Sequence, residues 1–310
     1  MKRALLVLYM FVLGVLLAPG VVQAAENADT TVTVAAVGEY RISGPYTHKN
    51  LSVFVVHGKD KLAGKRFITL DDALKQKKAV VHETGNVQKL SVENTSKTVY
   101  VYIQSGVIVK GGKQDRTIRY DMVVPPQSGK MAIGAFCVEA GRWTGRGNES
   151  AVKFDSAASV LSTKELKLAA KHKGSQREVW EKVAKAQKDL GVSLGGSVRA
   201  GQSASSLQLT LENKKLNRAA AEYAAALSKA FAGKTDVVGY AFAINGKINS
   251  ADVYASGQLF RILLPNLLRA SAVEAIASLK KGQTFAAPTA EAVKQLFLDA
   301  QGGKKSETLS

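Results

Sequence analysis

Val107-Ile108-Val109-Lys110-Gly111-Gly112-Lys113-Gln114-Asp115-Arg116-Thr117-Ile118 opens the stretch whose reading decides the fold, and Phe136-Cys137-Val138-Glu139-Ala140-Gly141-Arg142-Trp143 closes it. From Gln104 to Trp143 the chain reads strand, glycine-rich turn, strand, Pro125-Pro126 corner, strand, and then a loop carrying an arginine and a tryptophan. Short strands at such close spacing predict an antiparallel sandwich or barrel. The same stretch holds the chain's only cysteine, two glycine clusters, and acids and arginines where a plain strand needs neither.

Working outward, more strands precede it. Leu51-Ser52-Val53-Phe54-Val55-Val56 is strongly β-forming, after a turn expected at Gly44-Pro45. Thr69 is placed to cap a short helix, with Asp72 at its third position, and Lys77-Lys78 suits the C-terminus. Residues 87–93 and 98–104 alternate, and Asn94-Thr95-Ser96-Lys97 between them reads as a hairpin connection. Residues 117–124 and 131–139 continue the series.

Beyond Trp143 the pattern turns helical. Ser162-Thr163-Lys164-Glu165 and Ser175-Gln176-Arg177-Glu178 are capping boxes, and Gly191 reads as the stop of the second helix. In that helix Val179, Trp180, Val183 and Leu190 form an apolar stripe for the core. Residues 194–206, rich in glycine and serine, read as a mobile loop. An alanine-rich helix over 216–232 places Leu216, Tyr223, Leu227 and Phe231 on its buried side. Asn245-Gly246 joins a hairpin, Pro265 is expected to kink or divide the helix over 258–279, and a last helix covers 289–300. The class is α+β. A β-rich half over 25–150 and a helix-rich half with one β-hairpin over 151–302 are expected to form one compact unit, followed by a disordered tail over 303–310.

The first 24 residues read as a signal peptide: positive Lys2-Arg3, an apolar run, and the small-residue site Val22-Gln23-Ala24. The expected protein is exported, periplasmic or extracellular, with no membrane span after cleavage. Losing Lys2 and Arg3 lowers the formal charge of +18 by two, to +16. The lysines are scattered along helix faces (Lys164, Lys167, Lys171, Lys173, Lys182) with few aromatics for base stacking, so no nucleic-acid surface is expected. A single cysteine allows no internal disulfide, and with four histidines no compact Cys/His metal cluster is expected, nor any cofactor.

The Gly-Gly-Lys-Gln-Asp-Arg turn, Asp121, Pro125-Pro126 and the Phe-Cys-Val-Glu-Ala-Gly-Arg-Trp run carry a family likeness. Gly174-Ser175-Gln176, Val179-Trp180, Asn50-Leu51, Val53-Phe54, Asn245-Gly246 and Leu267-Leu268-Arg269 extend it. In these the chain resembles the bacterial domain family named for its association with ADP-ribosylglycohydrolases and rhodanese-phosphatase proteins. The resemblance implies no established activity; the name points to nucleotide- or ADP-ribose-related systems.

The residues support three function classes. The first is a binding domain for an anionic, nucleotide-like small molecule, held by Gly111, Gly112, Lys113, Gln114, Arg116, Arg142 and Trp143. Glycines let backbone N–H groups approach an anion, and arginine grips it bidentately. Arg116 and Arg142 are expected to face one cleft, unless Arg116 simply pairs with Asp115. The second is a hydrolase with Glu139 or Asp115 as general base, or Cys137 as nucleophile with one of His48, His57, His82 and His172 as base. Asp121 is a further acid–base candidate. Alternation sets Cys137 and Glu139 on one strand face and Phe136 and Val138 on the other, and a buried, inert Cys137 is the expectation. The third is a structural envelope protein, which a closed, salt-bridged cluster would favour.

Overall fold

A run of seven residues without one exposed side chain, Leu51-Ser52-Val53-Phe54-Val55-Val56-His57, can only lie inside a sheet covered on both faces. In the computed structural model, which describes residues 31–160 and 163–301, this is β3, the central strand of a five-stranded sheet. The sheet order is β1 (Thr33–Val37), β2 (Tyr40–His48), β3 (Leu51–His57), β13 (Val237–Ile244), β14 (Lys247–Val253), all antiparallel. The signal segment and the C-terminal tail read from the sequence fall outside the described residues.

Alternation splits the central strands cleanly. Val53 and Val55 join Tyr240 and Phe242 in the main core. Phe54, Val56, Ala241 and Ala243 face the other way and meet Ala290 and Val293 of the last helix, α7 (Ala290–Gln301). Fully burying such side chains stabilises the fold by about 1.5–3 kcal/mol each. Asn245 and Gly246, with φ of 51° and 75°, make the tight turn between β13 and β14 that the Asn-Gly pair predicts.

The barrel expectation holds. Strands β5 (Ala79–Glu83), β6 (Lys89–Asn94), β8 (Val107–Gly111), β9 (Arg116–Ile118), β11 (Lys130–Cys137) and β12 (Lys153–Val160) close in the order β11-β6-β5-β12-β8-β9. Val81, Leu90, Val92, Val109, Ile118, Ile133 and Ala135 fill one core cluster, which continues onto Leu70 and Ala73 of α1 (Leu70–Lys75), capped by Thr69 as read from the sequence. On the opposite face of β11 Phe136 joins the main core, as does Val138 just beyond the strand, together with residues of α3 (Gln176–Leu194), α5 (Lys214–Ser228) and α6 (Gly257–Ala277). A third, three-stranded sheet has the order β10 (Met122–Val124), β7 (Tyr100–Ile103), β4 (Phe67–Thr69).

Several local expectations are corrected. Residues 94–97 do not join a hairpin: Asn94 donates its amide to the carbonyls of Val99 and Val124, so the chain leaves the barrel and β7 pairs with β4 and β10 instead. The strand read over 117–124 breaks in two, β9 staying in the barrel and β10 leaving it. Gly44-Pro45 lies inside β2, at a register shift between Ser43 and Tyr46, and is not a turn. Gly191 does not stop α3, which runs on to Leu194 and ends at Gly195 in the left-handed conformation. Pro265 lies inside an undivided α6. Thr163, not Ser162, caps α2 (Lys164–Leu168); Ser162 itself is outside the described residues.

Candidate functional site

The two halves of the sequence-predicted site do meet, at one end of the barrel. Gly111 and Gly112 take φ of 108° and 56°, and a Cβ on Gly112 would come within 2.3 Å of the Phe154 ring, so the pair lets the β8–β9 turn fold down onto that ring. The turn carries Gln114 and Asp115 inward, both 0 % exposed. Gln114 donates to the Glu139 carbonyl at 2.9 Å, and the Asp115 N–H donates to the Glu139 carboxylate at 3.3 Å.

Two arginines of the following loop close over this acid pair. Arg142 Nε donates to Glu139 Oε2 at 2.8 Å, its Nη2 lies 3.4 Å from Asp115 Oδ1, and its Nη1 reaches the Gly112 carbonyl at 3.3 Å. Arg146 lies 3.0 Å from Asp115 Oδ2, 3.5 Å from Glu139 Oε1 and 2.9 Å from Glu149. Ser206 donates its hydroxyl to Asp115 at 3.0 Å, and Ser205 both accepts from the Ala140 N–H and donates to the Ala140 carbonyl. The segment read as a mobile loop is thus bonded onto this cluster.

Burial and neighbours split the two acids. Burial pushes Asp115 upward, and the charge of Glu139 adds to that, against the pull of Arg146. Burial acts on Glu139 too, but the hydrogen bonds from Arg142 and Ser203 outweigh it and hold that carboxyl below the usual range.

Arg116 does not share a cleft with Arg142. It is 1 % exposed, follows the inward side of β9 with Ile118, and pairs with Glu83 of β5 at 3.3 Å, its Nη1 bonded to the Gln114 carbonyl. Neither the shared cleft nor an Arg116–Asp115 pair forms, because strand alternation aims the guanidinium across the barrel end. Lys113 is exposed and Trp143, 53 % exposed, projects into solvent without covering the acids. Cys137 is 0 % exposed and registered against Arg116 on the barrel wall. Burial raises its thiol to about 11 despite the nearby Arg116 charge. His57 bonds Ser43 and Asp236, while His48 and His82 lie against Glu222 and Glu93; the His172 side chain is outside the described residues.

Asp121 stands apart from Asp115 and Glu139, on a cleft of about 230 Å³ between the ends of β7 and β10 in the three-stranded sheet, β14 and α2. It accepts from Tyr102 Oη and the Ser105 N–H, both at 3.0 Å. One wall carries Lys164 and Lys167 of α2 and Lys171 of the π-helical turn Ala169–Lys173. Lys164 donates to the Asn249 carbonyl at 2.9 Å, Lys171 reaches Asp121 only at 3.9 Å, and Lys167 joins no ion pair among the described residues. The lining also carries Asp252 of β14 and Glu274 of α6. Glu274 Oε1 accepts from the Lys164 N–H and the Asn249 amide, at 3.2 and 3.0 Å. Burial raises both carboxyls, with the lysine charges opposing it.

Apart from Asp121, an acid–base candidate from the sequence, these cleft residues were missed as site residues, although signals exist for some of them. Glu274 is the single acid in the apolar α6 sequence, and Asp252 sits opposite Tyr240 on a core-facing strand position. Arg146 lies between Gly145 and Gly147, the same glycine framing that marked Arg142.

The family model of the ARG and Rhodanese-Phosphatase-superfamily-associated Protein domain matches residues 39–310. The chain belongs to this family. That span takes in the barrel, the arginine-closed acid pair and the cleft, so both clusters of this chain lie inside the matched domain. No curated protein and no solved structure matches the chain.

Proposed function

We propose that the chain is an exported binding protein for a small anionic molecule, held in the cleft by Lys167 and Lys171. The observation that carries this reading is Lys167, a lysine on a cleft wall with no ion-pair partner among the described residues. A cleft of about 230 Å³ is below the roughly 300–1,000 Å³ of drug-sized ligand sites, which favours a single small molecule over a dinucleotide. The three-part leader pattern supports export.

The acid pair at the barrel end is better read as structural. Glu139 and Asp115 are 0 % exposed and already bonded to Arg142 and Arg146, and Cys137 is equally covered, which supports a structural role for these three residues. A thermal-shift screen with nucleotides, sugar phosphates and carboxylates tests the binding reading. A ligand at 100 times its Kd stabilises the native state by about 2.7 kcal/mol. The expected result is a raised melting temperature with at least one anion, lost in Lys167→Met. No shift with any anion ends the proposal.

A further inference from the structure

The cleft is of mixed charge. Its lining carries lysines and acceptors together, and the two sets of opposite charge make no ion pair with each other among the described residues apart from Lys171 and Asp121 at 3.9 Å. Neither Asp252 nor Glu274 has an ion-pair partner among the described residues, and neither does Lys167. Gln104, only 4 % exposed, lines the same space; its amide N–H donates to Tyr254 Oη at 3.1 Å, which leaves its buried Oε1 without a donor. Asp252 Oδ2 is also buried without a donor. Glu274 is held by its Oε1, from the Lys164 N–H and the Asn249 amide.

Buried acceptors without donors, and largely covered carboxylates whose lysine neighbours stand off beyond ion-pair distance, are each costly, and a cation carrying several N–H donors relieves both at once. An ammonium group placed at Asp252, Glu274 and Gln104 would do this, and Lys167 and Lys171 would then take a carboxylate. We infer that the bound molecule is a zwitterion, a free amino acid or a dipeptide. This rests on the cleft being a binding site for an anion, and it adds that recognition needs a positive end as well. A plain anion satisfies the lysines and leaves the acceptors as they were. An amine alone does the reverse.

Titration calorimetry of the purified chain at neutral pH separates these cases. The probes are the proteinogenic amino acids and alanyl-alanine, the N-acetyl derivative and the amide of whichever binds best, and inorganic phosphate. The expected result is binding of at least one zwitterion, with each trimmed derivative at least tenfold weaker. Glu274→Gln and Asp252→Asn should shrink the gap between the amino acid and its N-acetyl form, and Lys167→Met the gap between the amino acid and its amide. Equal binding of the amino acid and its N-acetyl form overturns the zwitterion and leaves anion binding standing, as does binding of phosphate with no amino acid or dipeptide bound. Failure of every probe, phosphate included, removes both readings. The derivative series needs no variant, so a substitution that unfolds the protein does not decide the matter.

Discussion

Cys137 shows how little a cysteine's identity says without its surroundings. Its side chain faces into the barrel end, and its backbone N–H and carbonyl are both bonded to the Gln176 amide, at 2.9 and 2.8 Å. Burial lifts the thiol to about 11, so at neutral pH it is protonated, and only the thiolate is nucleophilic. A thiol reagent should label the native protein slowly at pH 7 and completely after denaturation; fast native labelling would mean that the barrel end opens. Nearby, Glu139 illustrates the opposite balance. Burial alone would raise its pKa, but the Arg142 and Ser203 bonds lower it. Its contribution to stability is therefore present above the unfolded carboxyl's pKa and lost as pH falls through the lower, folded value. Arg142→Ala removes the main counter-charge and should cost about 3–5 kcal/mol at neutral pH. In the variant burial moves Glu139 upward, so acidification relieves it earlier than in the parent. Urea unfolding at neutral and mildly acidic pH should show the gap narrowing as pH falls. A pH-independent gap would mean that Glu139 does not feel Arg142.

Between elements, Asn50 ties four of them together. Its amide donates to Asn245 Oδ1 in the β13–β14 turn and to the Ala275 carbonyl of α6, at 3.0 and 2.9 Å. Its Oδ1 accepts from Tyr223 of α5 at 2.8 Å, and its own carbonyl, just ahead of β3, accepts from the Asn245 N–H at 2.9 Å. Tyr223→Phe keeps the ring against His48 but leaves Asn50 Oδ1 buried and short of a donor, a loss of about 1–3 kcal/mol. Ser228→Ala, at the exposed end of the same helix, should stay within about 0.5 kcal/mol. Chemical denaturation of the two variants checks the contrast, and equal stabilities would show that the clamp is idle. Elements like these were legible wherever one local rule decided them. Thr69 and Ser175 cap their helices as expected, Asn245-Gly246 turns its hairpin, and the barrel follows from strand spacing. The misread connection at 94–97 has a tertiary cause: the Asn94 side chain, which a local reading assigns to a turn, satisfies backbone carbonyls of the small sheet instead. Gly191 likewise failed as a stop because Gly195, four residues on, offers the left-handed cap.

Across the whole molecule, what the sequence concentrated between Gln104 and Trp143 the structure divides between two places. The glycine turn and the Glu139–Arg142 bend were correctly brought together, since both are ends of neighbouring barrel strands. The partner of Arg116 was not legible, because Glu83 approaches from across the barrel and no spacing encodes that. The cleft was hidden for a similar reason: Lys167 and Lys171 look like any solvated helix face until β14 and α6 bring Asp252 and Glu274 into the same cleft. The division makes a crossed prediction. The barrel-end cluster is closed, with each arginine satisfied by internal carboxylates, so its loss should act on stability and not on binding. The cleft lysines are partly exposed and weakly paired, so replacing one should act on binding and hardly on stability, since surface charges generally contribute about 0–1 kcal/mol. Arg142→Ala should therefore lower the melting temperature while leaving the Kd for the best anion from the thermal-shift screen within about twofold at a temperature where it is folded, a difference of about 0.4 kcal/mol. Lys167→Met should melt within a few degrees of the parent and lose at least tenfold in affinity. Measured on the same preparations, the two variants should fall on different axes. If Arg142→Ala loses affinity at a temperature where it remains folded, the anion is gripped at the barrel end after all, and the sequence's placing of the site is restored.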